Sequence, residues 1–265
     1  MLDEPDPARV AGLLKQLERM ELSDLTALQE AARSAPPQVQ RNLGQGLALA
    51  RYRGLEPDWV KLCEATEPDL ERGLVLIGMA NGATEYDVAG HLDGLAAQVS
   101  AKLTGDRAID VGLNALAEVL NASSLAGNRE QYYDPANSRI QDVLRTGKGL
   151  PILLCAVALL VGRRLELPVW GIGSPGHFLG FYGDPSIGLG AYFDPFRGFR
   201  RLNFGEVTAL LAPFVGTVDP SMLKPVNDAE LLARVLRNLI GAEGAAGNAV
   251  QVARLEHWLE LLTAP

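Results

Sequence analysis

The stretch PILLCAVALLVG, residues 151–162, places the strongest constraint on the fold. It opens on Pro151 and is closed by Arg163 and Arg164. Proline suits the first turn of a helix, where its missing N–H costs nothing. The run falls well short of the ~20 apolar residues that a membrane-spanning helix needs. A helix that is apolar all round must be covered on every side. Residues 151–162 are therefore expected to form a buried helix.

Upstream, the pattern is helical. In DPARVAGLLKQLERM, Asp6 is a candidate N-cap and Pro7 a first helical residue. Val10, Leu13, Leu14, Leu17 and Met20 then recur on one face. Further helices are predicted over 24–33, 37–52, 57–64, 68–80, 85–103 and 107–122, with APP, RGLEP and NGATE as punctuation. Downstream of 162, PVWGIG, HFLGFY and AYFDPF read as strands. The last two are expected to pair antiparallel across a loop at 183–190. In the tail, Asn227 and Glu230 form a capping-box pattern. There VNDAELLARVLRNLI and AVQVARLEHWLELL read as a helical hairpin hinged at GAEGAAGN.

Charge narrows the function classes. The formal net charge is −8, and residues 1–125 carry all of it, with 19 acidic and 11 basic side chains. Such a balance argues against nucleic acid as the ligand. Two distant cysteines, Cys63 and Cys155, make no disulfide framework, so a cytoplasmic location is expected. The N-terminus does not read as a signal peptide, and no membrane association is expected. His91, His177 and His257 lack metal-ligand spacing, so neither a metal nor another cofactor is expected.

One constellation carries chemistry. If HFLGFY and AYFDPF pair, His177 and Asp194 meet at the open end of the hairpin, where cross-strand Cβ atoms lie ~4.5–5.5 Å apart. Asp194 would accept the Nδ1–H of His177 and leave Nε2 as a base. Cys155 lies near the start of the apolar helix, whose unpaired N–H groups favour a thiolate. A thiol facing a His–Asp pair is the arrangement of cysteine acyl-transfer enzymes. Equally, a cysteine among Leu, Ala and Val is an ordinary core residue. Around this centre, Tyr132, Tyr133, Asn137 and Trp170 are candidate substrate contacts. Arg197, Arg200 and Arg201 either hold a small anionic ligand or pair with the acidic helical half.

The segments GNREQYYDPANS, VL, GLPILL, GRRLELP, PGHFL and FDPF occur in one order. Together they resemble the bacterial SirB-type family of transglutaminase-like proteins over roughly residues 68–265. The tail ELLARVLRNL and its hairpin are similar to that family's single tetratricopeptide-like unit. The resemblance implies an α+β fold: a papain/transglutaminase-like core, with a helix packed on an antiparallel sheet, between an N-terminal helical region and a C-terminal helical hairpin. The corresponding segments are 1–125, 126–212 and 213–265. It matches His177 and Asp194 to the family's histidine and aspartate. Active relatives open the helix with a cysteine about four turns before a Gly-hydrophobic-Pro motif. Here that motif reads Glu166-Leu167-Pro168, and counting back reaches Pro151 to Leu153. Cys155 lies about one turn, ~5.4 Å, further along. Two functions follow. One is a catalytically degenerate binding or scaffolding protein that keeps the His–Asp pair and contacts a partner protein through its helical regions. The other is a cysteine-dependent acyl transferase or amidase using Cys155, His177 and Asp194.

Overall fold

The computed structural model describes residues 7–103 and 108–264. Asp6, the candidate cap, lies outside the described residues, as does residue 107 at the start of a predicted helix. The chain divides into two compact units: 1–83 with 236–265, and 84–235.

The first unit is helical: α1 (Pro7–Glu18), α2 (Leu22–Ala31), α3 (Pro37–Cys63) and α4 (Leu70–Ala80), with the distal part of α10 (Asp228–Ala245) and all of α11 (Ala249–Thr263). Helix α3 overturns the expected break at RGLEP, since it runs on through Gly54 and Pro57. Proline inside a helix removes one hydrogen bond and crowds the preceding turn. Packing outweighs that cost. Trp59 stacks on Trp258 with ring centroids 4.5 Å apart, and Tyr52 meets the same indole edge-on at 5.0 Å. The Trp59 indole N–H also donates to the Trp258 carbonyl at 3.0 Å. A broken α3 would separate Tyr52 from Trp59. The expected hinge GAEGAAGN is likewise shorter, because α10 continues to Ala245. The capping box is present: Asn227 Oδ1 accepts from the Glu230 N–H at 2.8 Å, and the Glu230 carboxylate accepts from the Asn227 N–H at 2.9 Å.

The second unit is built around α8 (Pro151–Arg164), and residues 151–162 are all buried. Helices α5 (Val88–Lys102), α6 (Ile109–Ala122) and α7 (Ile140–Thr146) pack against it. So does a four-stranded antiparallel sheet of β3 (Val169–Ile172), β4 (Leu179–Asp184), β5 (Leu189–Asp194) and β6 (Arg200–Leu202), in that order. A short parallel pair, β1 (Ala126–Gly127) and β2 (Lys148–Gly149), precedes α8.

Both faces of the sheet are covered, which explains why β4 reads as a nearly continuous apolar run. Leu179 and Phe181 join Ile172 and Leu202 beneath α9 (Phe204–Val215), whose Val207 and Leu211 complete that layer. The alternate residue Tyr182 points the other way, toward Gly112 of α6. Any side chain at Gly112 would run into the Tyr182 hydroxyl, so glycine permits this close approach. The β4–β5 pairing is antiparallel as expected, but its turn is only Pro185–Gly188, since Asp184 already pairs with Leu189. Strand β6 and helix α9 were not anticipated. Among the described residues, no helix is long and apolar enough to cross a membrane.

Candidate functional site

His177 follows the turn Ser174-Pro175-Gly176 at the mouth of β4. Gly176 has φ +69°, a left-handed conformation that costs glycine little. A side chain there would also collide with the Phe214 ring. The turn thus delivers His177 toward the end of β5, where Asp194 is wholly buried.

His177 Nε2 lies 3.0 Å from Asp194 Oδ1. That oxygen also accepts the Phe196 N–H at 3.0 Å, so Asp194 caps the 3-10 turn Pro195–Arg197. The Asp-Pro pair has a local logic. Asp194 supplies the cap, and Pro195 occupies a position where no N–H is required. Asp194 Oδ2 is buried without a hydrogen bond, and its nearest cation is Arg197 Nε at 3.5 Å.

This geometry corrects the expected tautomer. An ionised carboxylate only accepts, so the hydrogen-bond network assigns the ring hydrogen to Nε2. Nδ1 is then the nitrogen with an available lone pair, the reverse of the expectation. The imidazole side chain is 13% exposed. The Phe196 ring stands perpendicular to it at 6.3 Å, and Tyr132 packs edge-on against Phe196 at 5.9 Å.

Cys155 is completely buried on α8. Its thiol lies 3.5 Å from the Leu179 carbonyl, the one hydrogen bond it makes among the described residues. Burial pushes its pKa well above the ordinary thiol range. That is the reverse of the activation expected at a helix start.

The proposed substrate contacts divide. Asn137 is buried in backbone-tying bonds: its Nδ2 donates to the Gln131 carbonyl at 2.6 Å and the Tyr132 carbonyl at 3.2 Å. Its Oδ1 accepts from Asn128 at 2.9 Å, and its own carbonyl accepts the Leu150 N–H at 3.0 Å. Asn137 thereby anchors the tyrosine loop to the start of α8. Tyr133 is exposed and rests against Tyr132 at 5.4 Å. Trp170 is partly exposed on β3, its indole N–H donating to the Gly183 carbonyl at 2.9 Å. Arg197 is half-exposed beside Asp194. Arg200 pairs with Glu206 at 2.9 Å, and Arg201 pairs with Asp110.

Sequence reasoning missed Phe196 and Ser174. Phe196 follows Asp-Pro directly, a position that a capped turn brings back over the histidine. Ser174 is buried, and its hydroxyl donates to the His177 carbonyl at 2.8 Å. A cavity of about 440 Å³ lined by Phe181, Tyr192, Leu202 and Phe204 lies on the α9 face of the sheet. Its lining includes none of Cys155, His177 and Asp194. Among the described residues, no three His, Cys, Asp or Glu side chains are grouped to hold a metal ion.

The chain is 36% identical over 121 residues to a UPF0162 protein of Xylella fastidiosa, covering 43% of this chain and 42% of the relative. It is 28% identical over 159 residues to a UPF0162 protein of Pseudomonas aeruginosa, covering 59% and 57%. A mouse F-box only protein 21 is 28% identical over 120 residues, covering 43% of this chain and 19% of that protein. The chain thus spans only part of the length of the curated relatives it matches. No solved structure matches it. The family model described as transglutaminase-like superfamily matches residues 86–237, more than half of the chain and all of α8, His177 and Asp194. A buried apolar helix, an antiparallel sheet and a His–Asp pair at the sheet's end therefore sit in a chain that belongs to the transglutaminase-like superfamily.

Proposed function

We propose that this chain is a SirB-type transglutaminase-like protein that is catalytically degenerate and acts as a binding or scaffolding protein. One observation carries the reading: the Cys155 thiol is fully enclosed, bonded to a backbone carbonyl and held protonated by burial. A thiol in that state is a poor nucleophile. His177 and Asp194 then serve recognition, with Nδ1 as a polar acceptor on a ring that meets Phe196 edge-on, Phe196 in turn packing on Tyr132. The C-terminal helical hairpin, read as a tetratricopeptide-like unit, and the N-terminal helices would contact a partner protein. A small anion near Arg197–Arg201 would have to compete with Asp194, Glu206 and Asp110 for those guanidinium groups.

The His177–Asp194 pair also favours a second reading, an acyl transferase or amidase. There the Cys155 sulfur would attack an amide carbonyl, and His177 would carry the thiol proton to the leaving amine. Water or a second amine would then release the acyl group. Incubation with a labelled glutaminyl peptide and an alkylamine separates the two. The expected result is no turnover above that of Cys155→Ala, with any peptide binding kept in Cys155→Ala and lost in His177→Ala. Turnover that vanishes in a folded Cys155→Ala variant would overturn the proposal.

A further inference from the structure

We infer that Arg234 is a positioning residue for His177 and acts through Ser174. Arg234 lies on α10, far along the chain from the histidine, yet within the same compact unit. Its Nη2 donates to the Ser174 carbonyl at 2.6 Å. Ser174 is fully buried and tied twice more: its N–H donates to the Ile172 carbonyl at 3.0 Å, and its hydroxyl to the His177 carbonyl at 2.8 Å. One residue thus joins the end of β3, the backbone of His177 and the guanidinium.

The same guanidinium lies over the Phe178 ring at 5.4 Å. Phe178 is buried and directly follows His177. Arg234 therefore grips the chain on both sides of the histidine, by a charged hydrogen bond before it and by cation–π contact after it. Gly173 leaves room for this grip, since a side chain there would press against Arg234 and Val226. Arg234 also acts on the aromatic flank of the site. Burial and the neighbouring Tyr133 raise the pKa of Tyr132, and the positive charge of Arg234 pulls it the other way. A lysine could supply the charge but not the flat fork that bonds and stacks at once.

The turn 174–177 carries no regular secondary structure of its own to hold the ring. Asp194 bonds Nε2, but a ring hung from a loose turn would swing about that single bond. The link from Arg234 through Ser174 to the His177 backbone fixes the other end, and so fixes where Nδ1 faces. This role rests on reading His177 and Asp194 as the operative pair, whatever that pair does.

The test is imidazole nitrogen NMR on the full chain with labelled histidine, with His177 assigned from His177→Gln. The native protein is expected to show His177 with its hydrogen on Nε2. In Arg234→Ala, that hydrogen should exchange with solvent about tenfold faster and the ring should move toward mixed tautomers, as fits the loss of one charged hydrogen bond. His91 and His257 should not change, and Arg234→Lys should fall between. Ser174→Ala, which removes only the hydroxyl, should shift His177 in the same direction and serves if Arg234→Ala does not fold. Unchanged His177 signals in whichever of these alanine variants is folded would overturn the proposal. If the shifts appear but no peptide binds, the positioning role stands and the functional reading fails.

Discussion

His177 Nε2 and Asp194 Oδ1 stand 3.0 Å apart, and the Asp194 oxygen is shared with the Phe196 N–H at 3.0 Å. A single buried carboxylate oxygen therefore bonds both the histidine ring and the turn that carries Phe196 over it. Asp194 thus holds the imidazole at Nε2 and shapes the turn beside it.

Asp194→Ala is accordingly expected to cost stability as well as site geometry. It strips the His177 and Phe196 N–H groups of their acceptor in a largely buried place, and leaving two donors unsatisfied costs about 2–4 kcal/mol. Denaturant unfolding should show the loss as a lower midpoint with an unchanged slope. Asp194→Asn, which keeps an acceptor oxygen, should lose clearly less. Equal losses in the two variants would show that charge, not the shared acceptor, is what matters.

The two thiols should part company in labelling and in alkaline stability. Burial raises Cys63, which is partly exposed, to a pKa of about 11, and pushes Cys155 higher. In the native protein Cys63 should react slowly and faster with each step of pH toward 11, while Cys155 should stay unlabelled until the chain unfolds. The sign for stability follows from proton binding. Above the ordinary thiol value, the unfolded chain loses thiol protons that the folded chain keeps, so stability falls as pH rises. That fall should begin near pH ~9. Cys155→Ala should flatten it, measured as the urea midpoint between neutral and alkaline pH. A midpoint that rises across that range would contradict the assignment.

Gly112→Ala should be among the more damaging single-methyl additions in the chain. The new carbon would occupy the space of the Tyr182 hydroxyl, and Tyr182 is fully buried between α6 and β4. Overpacking of this kind costs about 1–3 kcal/mol. Gly94→Ala is the control, because nothing lies within 4 Å of a side-chain carbon at that helical position. Its thermal midpoint should stay level with or above the native one, since alanine favours a helix. A Gly112→Ala midpoint level with the native protein would mean that α6 can slide away from the sheet.

Residues 151–162 could be read as a buried helix because an apolar surface on every side has only one stable place. The His177–Asp194 pairing could also be anticipated, because alternation and turn residues around 183–190 point to a hairpin. Local pattern alone, by contrast, breaks α3 at RGLEP, residues 53–57. It had no view of Trp258, which comes some 200 residues later and holds Tyr52 and Trp59 on one continuous helix. Ser174, Phe196 and Arg234 lacked a signal for the same reason, since their roles come from neighbours distant in sequence.

Periodicity, capping residues and the order of motifs in the sequence determined the mixed helix-and-sheet class, the buried helix at 151–162 and the aspartate that partners the histidine. Tertiary structure alone decided which ring nitrogen faces that aspartate, that Cys155 turns into the core, and which guanidinium grips the histidine turn. The physical reason is range. Propensity and pattern act over a few residues, whereas a side chain's orientation and burial depend on whatever the folded chain packs against it.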